Sequence, residues 1–354
     1  MSDVMREEIL QQPGACAGLL ERESRNLRPF VRSLAARPPV AVVIAARGSS
    51  DHAAVYARYL LEAVTGLPVA LAAPSLLTVY KARPRLKNTL VIGVSQSGQG
   101  PDICAVVREA ARQGAATLAL TNDPSSPLAR ASRQVIALGA GTEQAVAATK
   151  TYTTEVAGLA LLGALWSGKP ALLKQLMALP PLMARVLEMT REGAEATAAG
   201  LKRLNDCVVL GRGFQLGTAH EMALKMKECA GVPALSYSTA DFQHGPVSLA
   251  RNGYPVFLVA APGAMSADSD FTVKDMLQRG ASVHRVGLRE SGSSGRSSGP
   301  RFSQAMTARL AGCPEVFSPL LTILPGQWFA YFLALAKGKN PAKPVGLKKV
   351  TKTK

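Results

Sequence analysis

The sequence repeats one pattern after 165 residues, and this duplication is the strongest constraint on its fold. The string VVIAARG, which ends at Gly48, corresponds to the string CVVLGRG, which ends at Gly213. The same offset aligns Gly98 with Gly263, and it aligns the Gly-Leu-Pro break at Gly66 with a Gly-Val-Pro break. Agreement at three separated places indicates a gene duplication, so the 354 residues are expected to form two similar domains.

Each copy alternates short aliphatic strands with segments of helical spacing. In the first copy the expected strands lie near residues 40–46, 68–72, 89–94, 115–120 and 134–138. Near-continuous runs of Val, Ile, Leu and Ala are typical of parallel strands that helices cover on both faces. The sequence therefore predicts an α/β protein with two tandem, doubly wound parallel sheets. Ligands of such sheets bind beyond the carboxyl ends of the strands, where Gly- and Ser-rich loops lead into helices.

The duplication also sets the expected domain boundaries. Three segments outside the repeat are an amphipathic helical lead interrupted by Pro13, a Ser- and Gly-rich surface loop, and a Lys-rich extended arm. The expected division is a lead at 1–36, a first domain at 37–176, a second domain at 200–340 with its loop at 291–300, and an arm at 341–354 that carries Lys349.

Composition narrows the partners and the compartment. With 47% hydrophobic and 18% charged residues, the chain is too apolar to be disordered. A formal net charge of +17 indicates an anionic partner, and nucleic acid, an acidic membrane and a phosphorylated metabolite all fit this charge. Five cysteines without a Cys-x-x-Cys pair, together with only four histidines, argue against a zinc site and favour a reducing cytoplasm.

No segment predicts secretion or membrane spanning. The first residues include acidic side chains and lack an apolar signal core. The densest apolar stretch, residues 318–336, contains Pro319 and Pro325, so it predicts a buried helix preceded by a turn.

A polar loop follows the third strand of the first copy. The string SQSGQGPD begins at Ser95, and Pro101 suits the first position of a helix, where its missing N–H costs nothing. Hydroxyls, an amide and a helix N-terminus together favour an anion such as phosphate over an ordinary turn. Ser49 and Ser50, after the first strand, add two hydroxyls. No G-x-G-x-x-G string follows the first strand and no P-loop string occurs in the sequence, so a nucleotide site has little support.

The second copy carries acid/base residues at helical spacing. Glu221, Lys225 and Glu228 are separated by four and three residues, so they share one helix face. A solvated face with ion pairs is the alternative interpretation. His244 follows in a Gly-Pro turn, where a surface histidine is the ordinary explanation.

Taken in order, these motifs resemble the duplicated sugar isomerase (SIS) family. The Ser-Gln-Ser-Gly loop, the Ala-Leu-Lys-Met-Lys-Glu helix, the His-Gly-Pro turn and the Leu-Lys-Lys-Val-Thr ending all match, over nearly the whole chain. The resemblance is closest to the isomerase half of glutamine–fructose-6-phosphate aminotransferase and to the deaminases built from that half. It implies two tandem SIS domains.

The resemblance also implies residue roles. Glu228 would move a proton between C1 and C2 of the sugar, His244 would open the ring across a dimer interface, and Lys349 would act at C2. The residues implied in catalysis are Glu221, Lys225, Glu228, His244 and Lys349. The residues implied in sugar-phosphate binding are Ser49, Ser50, Ser95, Gln96, Ser97, Val146 and Ala148. The second copy has Ala-Ala-Pro-Gly ending at Gly263, so one phosphate loop is expected per chain.

The implied activity is conversion of glucosamine 6-phosphate to fructose 6-phosphate and ammonia by a cytoplasmic homodimer, without metal, cofactor, nucleic acid or membrane. Residue 2 is Ser and no glutaminase domain precedes the repeat, so the chain is not expected to take ammonia from glutamine. A fructosamine-6-phosphate deglycase or another phosphosugar isomerase remains open. A sugar-phosphate-sensing regulator is the alternative of another class, although the lead at 1–36 is too short for a DNA-binding module.

Overall fold

The computed structural model describes residues 3–290 and 301–349. These residues form two compact units. The N-terminal unit comprises residues 11–143, 150–180 and 348–349, and the C-terminal unit comprises the described residues of 3–10, 144–149 and 181–347.

The helices and strands are numbered in chain order. The helices are α1 Val4–Asn26, α2 Arg28–Ala36, α3 Ser49–Thr65, α4 Ser75–Thr78, α5 Pro101–Arg112, α6 Pro127–Ala131, α7 Lys150–Trp166, α8 Pro170–Met177, α9 Leu179–Gly200, α10 Leu216–Ala230, α11 Thr239–Gln243, α12 Ser266–Gln278 and α13 Pro319–Ala336. The strands are β1 Val42–Ala45, β2 Val69–Leu71, β3 Leu90–Val94, β4 Ala116–Thr121, β5 Gln134–Ala137, β6 Cys207–Gly211, β7 Ala234–Ser238, β8 Pro255–Ala260, β9 Ser282–Arg289 and β10 Phe302–Arg309.

The N-terminal unit is built on a five-stranded parallel sheet in the order β2-β1-β3-β4-β5. Strand β3 is buried along its whole length, as its unbroken apolar run predicts. The strand order reverses between β1 and β3. Ligands of doubly wound sheets bind at this point of reversal, so the loops after β1 and β3 lie where a site is expected.

The C-terminal unit repeats this topology. Its sheet has the order β10-β9-β8-β6-β7, again all parallel, which is the same order when the strands are counted from the start of the second copy. The prediction of two tandem, doubly wound α/β domains is therefore confirmed. The five strands expected in the first copy begin and end within two residues of those observed.

Two prolines do not have the effect that the sequence predicts. Pro13 lies inside α1, which continues through it, so the expected interruption of the lead is wrong. Proline removes only its own N–H from the helical ladder, and buried Met5, Ile9 and Leu19 stabilise the helix on either side. Pro325 likewise lies inside α13.

Helix α13 is the central helix of the C-terminal unit. It is preceded by a short turn of 3₁₀-helix at Glu315–Phe317, as expected, and its side chains are almost all buried. Among the described residues, α13 is the one helix long and apolar enough to cross a membrane, and 83% of it is buried within the protein. The predicted loop at 291–300 lies outside the described residues, as does the end of the arm.

Candidate functional site

The loop of residues 95–100 connects β3 to α5 in the N-terminal unit. Helix α5 begins at Pro101, as predicted, and the loop turns at Gly98, whose φ is +60°. The N–H of Gly98 donates to the carbonyl and the hydroxyl oxygen of Ser95, at 3.1 and 3.2 Å. The loop therefore closes on itself and brings Ser95, Gln96 and Ser97 to the end of the strand.

Neighbouring segments hold this loop in place. The carbonyl of Gln96 accepts hydrogen bonds from the N–H of Asn122 at 2.9 Å and from the hydroxyl of Thr121 at 3.2 Å. A Cβ on Gly98 would lie 2.2 Å from Oγ of Ser126, so only glycine fits. The loop is thus fixed before any ligand arrives, which lowers the entropic cost of binding one.

The loop after β1 is joined to α5 by an ion pair. Nε of Arg47 lies 3.0 Å from Oδ2 of Asp102, and Asp102 is buried in the first turn of α5. Because half of the Arg47 side chain remains exposed, it keeps positive charge beside the two loops. A cation and a helix N-terminus at one sheet edge suit an anionic group.

Helix α3 begins at Ser49, directly after Gly48. Ser50 is buried, and its hydroxyl donates to Oε1 of Glu155 in α7 at 2.8 Å. Glu155 is itself buried in an apolar helix, and sequence reasoning missed it. In this structure the Ser50 proton therefore satisfies a buried carboxylate.

Lys349 is held by a buried carboxylate of the N-terminal unit. Its Nζ lies 2.5 Å from Oε2 of Glu143, whose side chain is fully buried. Thr151 donates to the same carboxylate through its N–H, at 3.1 Å, and its hydroxyl, at 2.7 Å. Glu143 lies in the polar GTEQAVAATK string, but no local pattern pairs it with a lysine 206 residues away.

Residues 144–149 belong to the C-terminal unit. The N–H of Val146 donates to the carbonyl of Ala342 at 3.0 Å, so the carbonyl is the backbone group of Val146 that a sugar hydroxyl could meet. The N–H of Ala145 donates to the carboxylate of Glu8 at 3.3 Å. These contacts order the segment that also carries Ala148.

Helix α10 brings Glu221, Lys225 and Glu228 together. Nζ of Lys225 lies 3.2 Å from Oε1 of Glu221 and 2.5 Å from Oε2 of Glu228. Lys225 and Glu221 have no exposed surface, whereas 23% of the Glu228 side chain is exposed. The predicted shared face is present, but it is buried, and the solvated-face alternative is wrong.

The pKa of Lys225 reflects two opposing effects. Burial alone lowers the pKa of an ammonium group, but the adjacent carboxylates of Glu221 and Glu228 outweigh it and raise the pKa of Lys225 above its ordinary value. Lys225 is therefore a fixed positive charge beside a carboxylate that reaches solvent.

His244 caps the C-terminal end of α11 and is exposed. The backbone N–H of His244 donates to the carbonyl of Asp241 at 3.1 Å, and Gly245 follows with φ +123°. The turn is formed as predicted. Its imidazole faces solvent, where a substrate or a second chain can reach it.

In the second copy a carboxylate of the chain itself occupies the loop that matches residues 95–100. Oε2 of Glu315 accepts from the N–H of Ala264 at 2.7 Å, and Oε1 accepts from the N–H of Met265 at 3.4 Å. A Cβ on Gly263 would lie 2.1 Å from the Glu315 carboxylate. Two backbone N–H groups of this loop therefore already have an anionic acceptor within the chain.

The part of the chain that the structure describes contains no set of metal ligands. No group of three or more His, Cys, Asp or Glu residues there is placed to hold a metal ion.

Comparison with known proteins agrees with this arrangement. A model of the SIS domain matches residues 39–165 and 201–294. The isomerizing glutamine–fructose-6-phosphate aminotransferase of Methanothermobacter thermautotrophicus is 34% identical over 308 residues, which cover 87% of this chain and 51% of that protein. The chain spans about half the length of the curated relatives it matches.

Solved structures match the whole fold. A candidate phosphosugar isomerase from Silicibacter pomeroyi DSS-3 has a TM-score of 0.84 at 36% identity, and the match covers 95% of this chain and 99% of the other. A glucosamine-6-phosphate deaminase from Thermotoga maritima has a TM-score of 0.80 at 21% identity, and the match covers 99% of both chains. The second likeness concerns the fold alone.

Proposed function

The chain belongs to the SIS phosphosugar isomerase family, and on that premise we propose that it converts glucosamine 6-phosphate and water to fructose 6-phosphate and ammonia. The proposal joins an aldose–ketose isomerisation to the loss of the C2 amino group. It specifies the substrate within the phosphosugar class. The aminotransferase relative, which is 34% identical, supports the choice of a hexose 6-phosphate framework.

The observation that carries the proposal is the buried ion-pair group on α10. Isomerisation needs a carboxylate that can take a proton from one carbon and return it to the next. Glu228 is the member of the group that reaches solvent, and Lys225 holds a positive charge 2.5 Å from it. Glu221, which is fully buried, keeps Lys225 in place from the other side.

The proposed steps balance as follows. Glu228 removes the proton from C2 of the open-chain aldehyde, and O1 takes up a proton from the solvent as the enolamine forms. The protonated Glu228, which is now neutral, then delivers its proton to C1, which leaves an iminium group at C2. Water adds to C2, and ammonium leaves as the ketone forms. The ammonium group of Lys225 stabilises the negative charge that Glu228 carries before the first transfer and regains after the second.

Two further residues complete the proposal. His244 would transfer the proton that opens the sugar ring, because a neutral imidazole has one ring nitrogen that donates a proton and one that accepts a proton. Its exposure at the C-terminal end of α11 suits donation to a second chain, so we propose a homodimer. Lys349 would act at C2 during loss of the amino group, where its ammonium group can donate a proton to the leaving nitrogen as the C–N bond breaks.

The residues proposed to bind the phosphate lie in the segments that follow strands β1 and β3. Ser95, Gln96 and Ser97, held in a preformed loop, would receive the phosphate, and Ser49 would add a hydroxyl. Val146 and Ala148 would meet the sugar through backbone groups. Four buried cysteines among five free thiols support a reducing compartment, and we propose the cytoplasm.

The test is ammonia release from a panel of glucosamine, galactosamine and fructosamine 6-phosphates, measured together with exchange of the C2 proton in deuterated water. Glu228→Gln should abolish exchange and retain sugar-phosphate binding, because the amide keeps the shape and loses the base. Lys227→Gln is the matched control, since Lys227 is an exposed neighbour on α10.

Each outcome has a defined meaning. Release of an amino acid from a fructosamine phosphate would indicate the deglycase, and exchange without ammonia would indicate a simple isomerase. Retained exchange in Glu228→Gln would refute the role of this base. Duplex DNA binding with a steep salt dependence and no turnover would indicate the regulator instead.

A further inference from the structure

A cavity of about 310 Å³ lies against α5 in the N-terminal unit. One wall is formed by residues 105–112 of α5, and the other is formed by residues 77–83, which include the end of α4. Small-molecule sites have volumes of roughly 300–1,000 Å³, so the cavity suits a small ligand. None of the residues of the 95–100 loop lines it.

The cavity is lined by an excess of positive charge. Its basic side chains are Lys81, Arg83, Arg108 and Arg112, and its one acidic side chain is Glu109. Nε and Nη2 of Arg112 donate hydrogen bonds to Oε2 and Oε1 of Glu109, at 3.0 and 2.7 Å. Hydrogen bonds from Arg112 and Gln113 lower the pKa of Glu109 to about 2, so this carboxylate is ionised and already matched by Arg112.

The remaining three cations need another explanation. Arg108 lies in the C-terminal half of α5, where a basic side chain offsets the partial negative charge of the helix end. Lys81 and Arg83 come from a different segment, so the helix does not account for them.

The wall that carries Lys81 is held in an unusual conformation. Lys81 has φ +57°, which is costly for a residue with a side chain, and its Nζ donates to the carbonyl of Thr78 at 2.6 Å. Gln113 fastens the segment to α5, since its amide accepts from the N–H of Leu86 at 2.7 Å and donates to the carbonyl of Pro84 at 2.9 Å. The cavity is therefore built by specific contacts.

We propose that this cavity binds a small anion with at least two negative charges, of the phosphate ester class, at a site separate from the 95–100 loop. One guanidinium group can donate two parallel hydrogen bonds to phosphate oxygens. Arg83 and Arg108 supply two guanidinium groups, one from each wall of the cavity. Leu77 and Ala105 add apolar surface for the carbon part of an ester.

The experiment is calorimetric titration with pyrophosphate, on the full chain carrying Ser95→Ala and Ser97→Ala. These changes weaken the loop proposed for the substrate, so the remaining binding reports the cavity. We expect one saturable site, which Arg108→Ala or Arg83→Gln weakens about tenfold or more because each removes a charge-assisted hydrogen bond. Glu109→Gln should tighten binding, since it removes the negative charge and releases Arg112.

Arg85→Ala is the matched control, because Arg85 is exposed on the same segment and lies outside the cavity lining. It should change the affinity less than twofold. Absence of saturable binding, or equal weakening by Arg85→Ala and Arg108→Ala, would overturn the proposal. All substituted side chains are exposed or half-buried, and circular dichroism of each variant confirms folding. Turnover by the unaltered chain tests the proposed activity separately.

Discussion

The ammonium group of Lys349 donates a hydrogen bond to the buried carboxylate of Glu143, 206 residues earlier in the chain. Three-quarters of the Lys349 side chain is buried, whereas its neighbour Lys348 is exposed. Since Thr151 supplies two further hydrogen bonds to the same carboxylate, the acceptor is fixed before the lysine reaches it. The ion pair with Glu143 therefore helps to fix the position of the proposed C2-directed amine.

Glu143→Gln should release the tail. The amide keeps the shape of the side chain but cannot form an ion pair, so we expect kcat/KM for ammonia release to fall about tenfold, the value of one charge-assisted hydrogen bond. Trypsin should cleave after Lys349 faster than in the unaltered protein. Thr151→Val, which removes one hydroxyl and keeps the ion pair, is the control. Equal activity and equal cleavage of both variants would contradict this role for Glu143.

Gly98→Ala tests whether the 95–100 loop is held rigid for its ligand. A methyl group at this position would meet Oγ of Ser126 at 2.2 Å in a backbone conformation with φ +60°. Gly114→Ala shares the positive φ, at +77°, but its methyl group has open space. Backbone strain should cost each variant about 1 kcal/mol of unfolding free energy, and the steric clash with Ser126 should lower the stability of Gly98→Ala further. Gly98→Ala alone should also weaken sugar-phosphate binding, and equal binding by the two variants would count against the assignment.

His284 should make the protein acid-sensitive. It is buried in β9 and stacks on Phe257 with ring centroids 5.0 Å apart, and burial lowers its pKa from 6.5 to about 4. The unfolded chain therefore binds a proton at a higher pH than the folded chain does. Stability is fully present above pH 6.5 and is lost as the pH falls toward 4, by up to about 3 kcal/mol.

Urea unfolding of the protein and of His284→Gln, at pH 7 and pH 4.5, measures this contribution. The variant should lose less stability between the two pH values than the unaltered protein. Identical losses would show that another group causes the acid sensitivity.

The sequence predicts those features that depend on neighbours in the chain. The strand β3 follows from an unbroken apolar run, and the shared face of Glu221 and Lys225 follows from their spacing of four residues. Both are patterns within a short stretch of chain. Burial of that face depends on packing between distant segments, so the pattern alone leaves a solvated face open. The partners Glu143 and Glu315 act over 206 and 51 residues, and no local period indicates such distances.

Because of the Glu315 carboxylate, the stability of the loop in each copy depends differently on the anions in solution. In the second copy the Glu315 side chain supplies the anionic acceptor for the loop. The folding of that loop is therefore independent of the concentration of any metabolite. In the first copy, an anion that binds only the folded loop adds stability in proportion to the logarithm of its concentration. Under the proposed function, one loop therefore has a stability that follows substrate supply, and the matching loop has a stability that is constant.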